Sequence, residues 1–385
     1  MPSPWTRWQR ISPSAKPTSS RRWNTKSPCL NSVKILVLRF SSIGDIVLTT
    51  PVVRALAQQV PQAEVHFATK PAYRGLLLPN PYISKVHCLT GSLGELVREL
   101  KAEQFDYIVD LHNNLRTRLI KLRLGVPNHS FDKLNFQKWL LVNFKIDRLP
   151  RVHIVQRYLE AAAPLGVQDD RKGLDYFIPA GQEVDVTMLP APFRRGYVAV
   201  AIGAQHATKR LPVDKLIELC AKLARPVVLL GGPEDESIGH VIEQAFETQA
   251  VATEPAATVP DSPYYFPAKL VDADAPKTFI HNGCGQYSLH QSASLLRQAQ
   301  FVVSHDTGLM HIAAAFGKEI FSVWGNTVPA FGMYPYKTEF KVLEVLNLPC
   351  RPCSKIGFEK CPQGHFKCMR DQTLDLGLPP THDGR

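Results

Sequence analysis

The stretch that most limits what this chain can fold into is Phe301 to Gly317, FVVSHDTGLMHIAAAFG. It reads as a short apolar strand over Phe301 to Ser304, a polar turn His305-Asp306-Thr307-Gly308, and an Ala-rich helix stopped at Gly317. A strand that feeds a helix through such a turn leaves free backbone N–H groups and the positive helix end facing whatever lies above it. Asp306 or Thr307 can cap the helix, Gly308 lets a ligand approach the backbone, and His311 lies one turn in. Alone, the stretch is equally an ordinary capped helix of an α/β sheet. A second turn of the same kind in the other half of the chain shifts the balance.

That second turn follows VKILVLRF, a buried strand from Val33. It is Ser41-Ser42-Ile43-Gly44-Asp45, and a helical pattern follows that kinks or restarts at Pro51. EVHFAT and SKVHCL read as strands, SLGELVRELKAE as an amphipathic helix opened by Ser92, and FDYIVDL as a further strand. HNNLRTRLIKLRL reads as a basic helix. Near Gly196 the alternation starts again with YVAVAIGA, the helix VDKLIELCAKL, the strand PVVLLGG and the helical PEDESIGHVIEQAF, and after FVVSHDTG it closes on the strand KEIFSVWG. No short repeat is present. The alternation predicts an α/β protein of two Rossmann-like halves, each with a parallel sheet, and a cleft between them where ligands bind. The expected units are a tail over 1–32, a first domain over 33–190, a second over 191–330 with a low-complexity insertion at about 248–276, and a C-terminal segment over 331–385.

Gly44 permits a tight or positive-φ turn, and Asp45 opens the helix. The carboxylate is either a first-turn acid that stabilises the helix dipole or a base facing the cleft.

Charge bears on partners only once it is located. The formal net charge is +11, but residues 1–34 hold seven basic groups and no acid, which leaves +11 − 7 = +4 on the rest. A mildly basic body suits a phosphate ligand or an anionic membrane surface and argues against nucleic acid. The Ser-, Pro-, Arg- and Trp-rich tail lacks the apolar core of a signal peptide and reads as an unstructured extension or the product of a start codon set too far upstream. No run of about 18 apolar residues occurs. With four cysteines scattered singly, the expected location is cytoplasmic.

Taken together, KILVLRFSSIGDIVLTTPVVRAL, FDYIVDLHNNLRT, the Lys209 loop and SHDTGLMHIAAAFGKEIFSVWG resemble the bacterial heptosyltransferase family, from about Val33 to Met369. These are inverting transferases of glycosyltransferase family 9 that build the lipopolysaccharide inner core. The resemblance implies a GT-B fold whose first domain takes the acceptor and whose second takes an ADP-sugar donor. It implies that Asp45 is the general base, with Ser42 and Gly44 in the acceptor-side loop. Thr208, Lys209, Asp306, Thr307 and Gly308 would hold the donor diphosphate and sugar, and Glu234 the donor ribose, although Asp235 and Glu236 compete for that last role. His311 reads as a hydrogen-bond donor at the helix mouth before a proton shuttle. No cofactor is implied: Lys209 and the helix start after Asp306 supply the charge that a metal would.

The expected activity is metal-independent transfer of heptose, or a related sugar, from an ADP donor to a lipid-linked saccharide at the inner face of the cytoplasmic membrane. A sugar-nucleotide epimerase or a non-catalytic nucleotide-sugar binder are the alternatives. Asp272-Ala273-Asp274, the metal-binding pattern of other glycosyltransferases, falls in the low-complexity insertion and reads as chance. Cys350, Cys353, Cys361 and Cys368, with His365 nearby, have a spacing compatible with structural zinc, reduced thiols or disulfides. The basic and aromatic region from Phe131 to Tyr158 fits a phosphorylated glycolipid, an anionic membrane surface, or a solvated face over buried aromatics. Trp324 and Tyr334 read as core or cleft wall.

Overall fold

The computed structural model describes residues 32–247 and 278–378. The tail to residue 31 and the insertion with its Asp272 and Asp274 lie outside the described residues.

The first half builds a parallel sheet from β1 (Val33–Leu38), β2 (Ala63–Thr69), β3 (Lys85–Cys88), β4 (Tyr107–Asp110) and β5 (Asn128–Ser130), in the spatial order β3-β2-β1-β4-β5. Its helices are α1 (Ile43–Val47), α2 (Thr50–Gln59), α3 (Arg74–Leu77), α4 (Leu93–Ala102), α5 (Leu115–Leu124), α6 (Asn135–Phe144) and α7 (Ile154–Ala162). The helical pattern after Asp45 does restart at Pro51, which sits in the first turn of α2. From Ile35 to Leu38 β1 is apolar and buried because both its faces are covered. Ile35 and Val37 pack toward α2 and α7, while Leu36 and Leu38 pack with Leu96, Leu100 and Ile120 of α4 and α5. Ser92 caps α4 reciprocally with Glu95, at 3.2 Å in each direction.

The second sheet contains β6 (Val198–Ala201), β7 (Val227–Leu230), β8 (Ile280–Asn282), β9 (Val302–His305), β10 (Ile320–Trp324) and β11 (Phe340–Glu344), ordered β11-β10-β9-β6-β7-β8 and again all parallel. It is joined by α8 (Val213–Leu223), α9 (Glu236–Glu247), α10 (Leu289–Gln298), α11 (Gly308–Ala315) and the short α12 (Lys367–Arg370). β11 carries the sheet past residue 330, where the sequence suggested that the second unit ends.

The two halves share a core. Val37, Val53 and Tyr158 of the first belong to one apolar cluster with Ala199, Val302, Met310 and Trp324 of the second. Polar ties add direction. Ile154 donates its N–H to the carbonyl of Gly332 at 2.8 Å, Arg157 donates to Phe331 O at 3.1 Å, and Lys145 donates to Pro352 O at 2.7 Å. Arg54 of α2 is fully buried against Asp170, Asp175 and the carbonyl of Gly173, which ties α2 to the segment leading into the second half.

Candidate active site between the two sheets

Parallel strands put all their C-terminal ends on one edge, and the loops there form the usual ligand rim of such sheets. The first half brings the Ser41–Asp45 turn to this edge. The second half brings the turns after β6, β7, β9 and β10. α1 and α11 then lie against one another across the cleft.

Asp45 is the third residue of α1. Its carboxylate accepts from the N–H of Ser42 at 3.1 Å and from the Ser42 hydroxyl at 2.9 Å, so it does cap its own helix. It also meets the Arg39 guanidinium at 2.6 Å. Burial alone would raise the carboxyl, but Arg39 and the Ser42 hydrogen bonds outweigh it and hold Asp45 ionised below its ordinary range. Arg39 stands at the end of β1. It donates to Ser41 O at 2.7 Å, to Leu111 O at 2.6 Å and to the Tyr158 hydroxyl at 3.0 Å, so three separate elements fix the cation that fixes Asp45. Sequence reading missed Arg39. Its only signal was a charge closing the apolar run Ile35 to Leu38.

Gly44 is not in the left-handed region, contrary to one of the two uses suggested for it. Its need is space: a Cβ there would lie 2.6 Å from Cδ2 of His311 and 3.3 Å from Cα of Gly308. Gly308 returns the constraint, since its Cβ would lie 2.8 Å from Cγ2 of Ile43. Gly317 does stop its helix at φ +65°.

On the opposite wall, the Lys209 ammonium donates to the Asp306 carboxylate at 2.6 Å, and Thr327 donates to the same oxygen at 3.1 Å. Thr307 is the N-cap of α11, its hydroxyl 3.4 Å from that of Ser304. His311 is buried with Nδ1 lacking a protein partner, and burial, with Lys209 adding to it, pushes its pKa down to about 4 despite Asp306 and Asp45. The ring is neutral at pH 7. Asn326, after β10, likewise buries a side-chain amide whose oxygen and nitrogen find no protein partner. Unsatisfied buried polar atoms at a cleft are the kind a ligand satisfies.

Two residues sit differently from the others. The Thr208 hydroxyl is taken up by the C-terminal loop: it donates to Phe358 O at 3.1 Å and accepts from Phe358 N at 2.8 Å. Glu234 is exposed on the turn after β7, while neighbouring Asp235 is buried against Arg210 at 2.9 Å and Gly232 N at 3.0 Å. Of the acids in GGPEDE, Asp235 is therefore engaged in structure and Glu234 is free to face a ligand.

More basic groups reach the same space. Lys133 is lowered by burial and then by Arg39. Lys138 is pushed down to about 8 by burial and then by Arg157, with Asp45 opposing. His112, after β4, is pushed down to about 4 by burial and then by Arg39 and Lys133. An ionised base on one wall with cations and N–H donors around it suits transfer to an acceptor hydroxyl as a diphosphate departs.

Among the described residues no cysteines are joined, and Cys350 Sγ lies 3.9 Å from Nε2 of His365. The four C-terminal thiols do not form a set of ligand atoms within 4.8 Å of one another.

Residues 93–257 and 269–361 match the model of glycosyltransferase family 9 (heptosyltransferase), a span that includes the second-half site residues but not Asp45. The chain is 22% identical over 320 residues to lipopolysaccharide heptosyltransferase 2 of Escherichia coli K12, covering 78% of this chain and 84% of the relative. It is 23% identical over 371 residues to lipopolysaccharide heptosyltransferase 2 of Salmonella typhimurium, covering 91% and 98%. The fold is similar to the solved E. coli ADP-heptose LPS heptosyltransferase II, with a TM-score of 0.60 and 23% identity over 88% of this chain and 98% of that one. It is also similar to an E. coli heptosyltransferase solved with ADP, with a TM-score of 0.57 and 20% identity over 84% and 96%. The parallel sheets, their shared cleft and the family match agree: the chain has the GT-B fold and belongs to glycosyltransferase family 9, the heptosyltransferase family.

Proposed function

We propose that this enzyme moves heptose, or a closely related sugar, from an ADP donor to a lipopolysaccharide-type acceptor, with inversion and without a metal. The observation that carries the reading is Asp45, held ionised in the first half and set against the start of α11 in the second. Asp45 takes the proton from the acceptor hydroxyl as that oxygen attacks the anomeric carbon, and ADP leaves with its charge met by Lys209 and the N–H groups after Asp306. In this reading the half over 33–190 takes the acceptor and the half from 191 takes the donor. Glu234 faces the ribose, while Thr307, Gly308, His311 and Asn326 face the diphosphate and sugar. Thr208 contributes by holding the Phe358 loop over the Lys209 turn.

The acceptor is amphipathic, and α6 suits it. Phe136, Trp139 and Phe144 are 66%, 44% and 58% exposed, with Arg148 and Arg151 exposed soon after the helix. Aromatic tips with basic neighbours fit the boundary of an anionic membrane. Among the described residues no helix is long and apolar enough to cross a membrane, and the proposed location is peripheral, on the cytoplasmic face.

Calorimetric titration of ADP, UDP and GDP, each with and without excess chelator, tests the donor side. Selective, chelator-insensitive binding of ADP is expected, and a preference for UDP overturns the donor assignment. Turnover of ADP-heptose that needs an added lipid A-core acceptor separates transfer from epimerisation, which needs none.

A further inference from the structure

Two buried histidines face one another near the outer edge of the first sheet. The register pairs His66 of β2 with Lys85 of β3, and Ala68 with His87, so the side chains of His66 and His87 share the sheet face covered by α4. Nδ1 of His66 is 3.0 Å from Nε2 of His87. Phe105 meets both rings edge-on. The outer nitrogen of each ring is on a carboxylate: His66 Nε2 lies 2.9 Å from Glu64, and His87 Nδ1 lies 2.5 Å from Glu99.

A carboxylate only accepts, so each outer nitrogen carries its ring's hydrogen. The two inner nitrogens are then lone pairs pointed at one another, and a cation has to lie between them. A third ligand atom is present. Glu103, at the C-terminal cap of α4, brings a carboxylate oxygen 3.9 Å from His66 Nδ1, and the three ligand atoms all lie within 4.8 Å of one another. Among the described residues this is the one such trio. A shared proton would need no third ligand. Two imidazoles whose far N–H groups are held by carboxylates, plus one carboxylate, make the N2O donor set of zinc-class metals with its outer shell already in place.

We propose that His66, His87 and Glu103 form a site for a divalent transition metal of the zinc class, oriented by Glu64 and Glu99, that fastens the β2–β3 edge to the end of α4. The other Glu103 oxygen stays with Lys85, at 2.5 Å, and Lys34, now 3.5 Å from the ligating oxygen, yields its place to the metal.

The test is a titration of Co2+ into the chelator-stripped full-length chain and into the Cys353→Ser/Cys361→Ser double variant, followed by displacement with Zn2+. The expected result is one equivalent bound in both proteins. Its spectrum in the double variant shows the weak bands of nitrogen and oxygen ligation without sulfur charge transfer. His87→Gln and Glu103→Gln should each weaken this binding at least tenfold and abolish the rise in melting temperature that Zn2+ gives. Glu103 is partly exposed at a helix end, so Glu103→Gln remains decisive if His87→Gln fails to fold. Binding seen only with a sulfur signature, binding unchanged by Glu103→Gln, or no binding at all overturns the site; in the last case a shared proton occupies the space between the rings.

Discussion

Gly44 and His311 are in such close contact across the cleft that a Cβ on Gly44 would stand 2.6 Å from the histidine ring. Gly308 and Ile43 repeat the arrangement a few ångströms away. The two short turns that carry the proposed chemistry are thus packed on each other through the absence of two side chains, and the spacing between base and donor site is set there.

Gly44→Ala and Gly308→Ala should each push α1 and α11 apart. The overpacking should cost about 1–3 kcal/mol of stability. Turnover should fall more than that predicts, at least tenfold with the protein still folded, because the displacement separates base from donor. Denaturant unfolding alongside steady-state rates checks this; full turnover in a folded Gly308→Ala enzyme would show that the contact does not set the geometry.

Asp45→Asn should leave ADP affinity near that of the parent and lower turnover by about 10² to 10⁴. Because Asp45 is held below its ordinary value of 3.8, it remains ionised as the pH falls to about 4, and kcat/KM should show no acidic limb from this group above that pH. The stability from its pairing is present above the unfolded value and lost only as pH falls through the lower folded one. Arg39→Met should move an acidic limb upward into the measurable range, a change that loss of packing alone does not produce.

Lys209→Ala should weaken ADP binding by about ten- to a hundredfold, the worth of one hydrogen bond to a charged group. Calorimetry on the purified variant measures it directly. Unaltered affinity would detach Lys209 from the donor.

Acid should destabilise the fold well before the carboxylates titrate. His112, His305 and His311 are pushed down to about 4 and His153 to about 3, in each case chiefly by burial. Their contribution is present above the unfolded value of 6.5 and declines as pH falls toward the folded values, since the unfolded chain binds the protons that the folded one refuses. Each adds up to about 1.4 kcal/mol per pH unit in that window. Denaturant midpoints should stay level from pH 7.5 to about 6.5 and fall steadily from there to pH 5, and His153→Phe should flatten the slope. A flat profile would mean that these rings take up protons without cost.

Much of this molecule is legible in its sequence because the signals are local. Apolar runs of strand length, Ser92 with Glu95, Pro51 opening α2 and Gly317 closing α11 each record a backbone hydrogen-bond requirement within a few residues. β5 and β11 escaped because their local signals are weak. β5 is Asn-His-Ser, without an apolar face, and β11 is only partly buried; their pairing comes from the edges that neighbours leave open.

Local pattern along the chain carries the α/β alternation, the two loop-helix turns and the identity of the residues placed in them. What those residues answer to comes from contacts far apart in the chain. Asp45 is ionised because Arg39 is pinned by Leu111 and Tyr158, which lie 72 and 119 residues away from that arginine. The Thr208 hydroxyl is engaged by a loop 150 residues on, and Gly44 is required by a ring in the other half of the chain. Backbone patterns follow from neighbours in sequence. The charge state, free valence and clearance of a side chain follow from neighbours in space: packing within each half sets the first two here, and the meeting of the two halves sets the third.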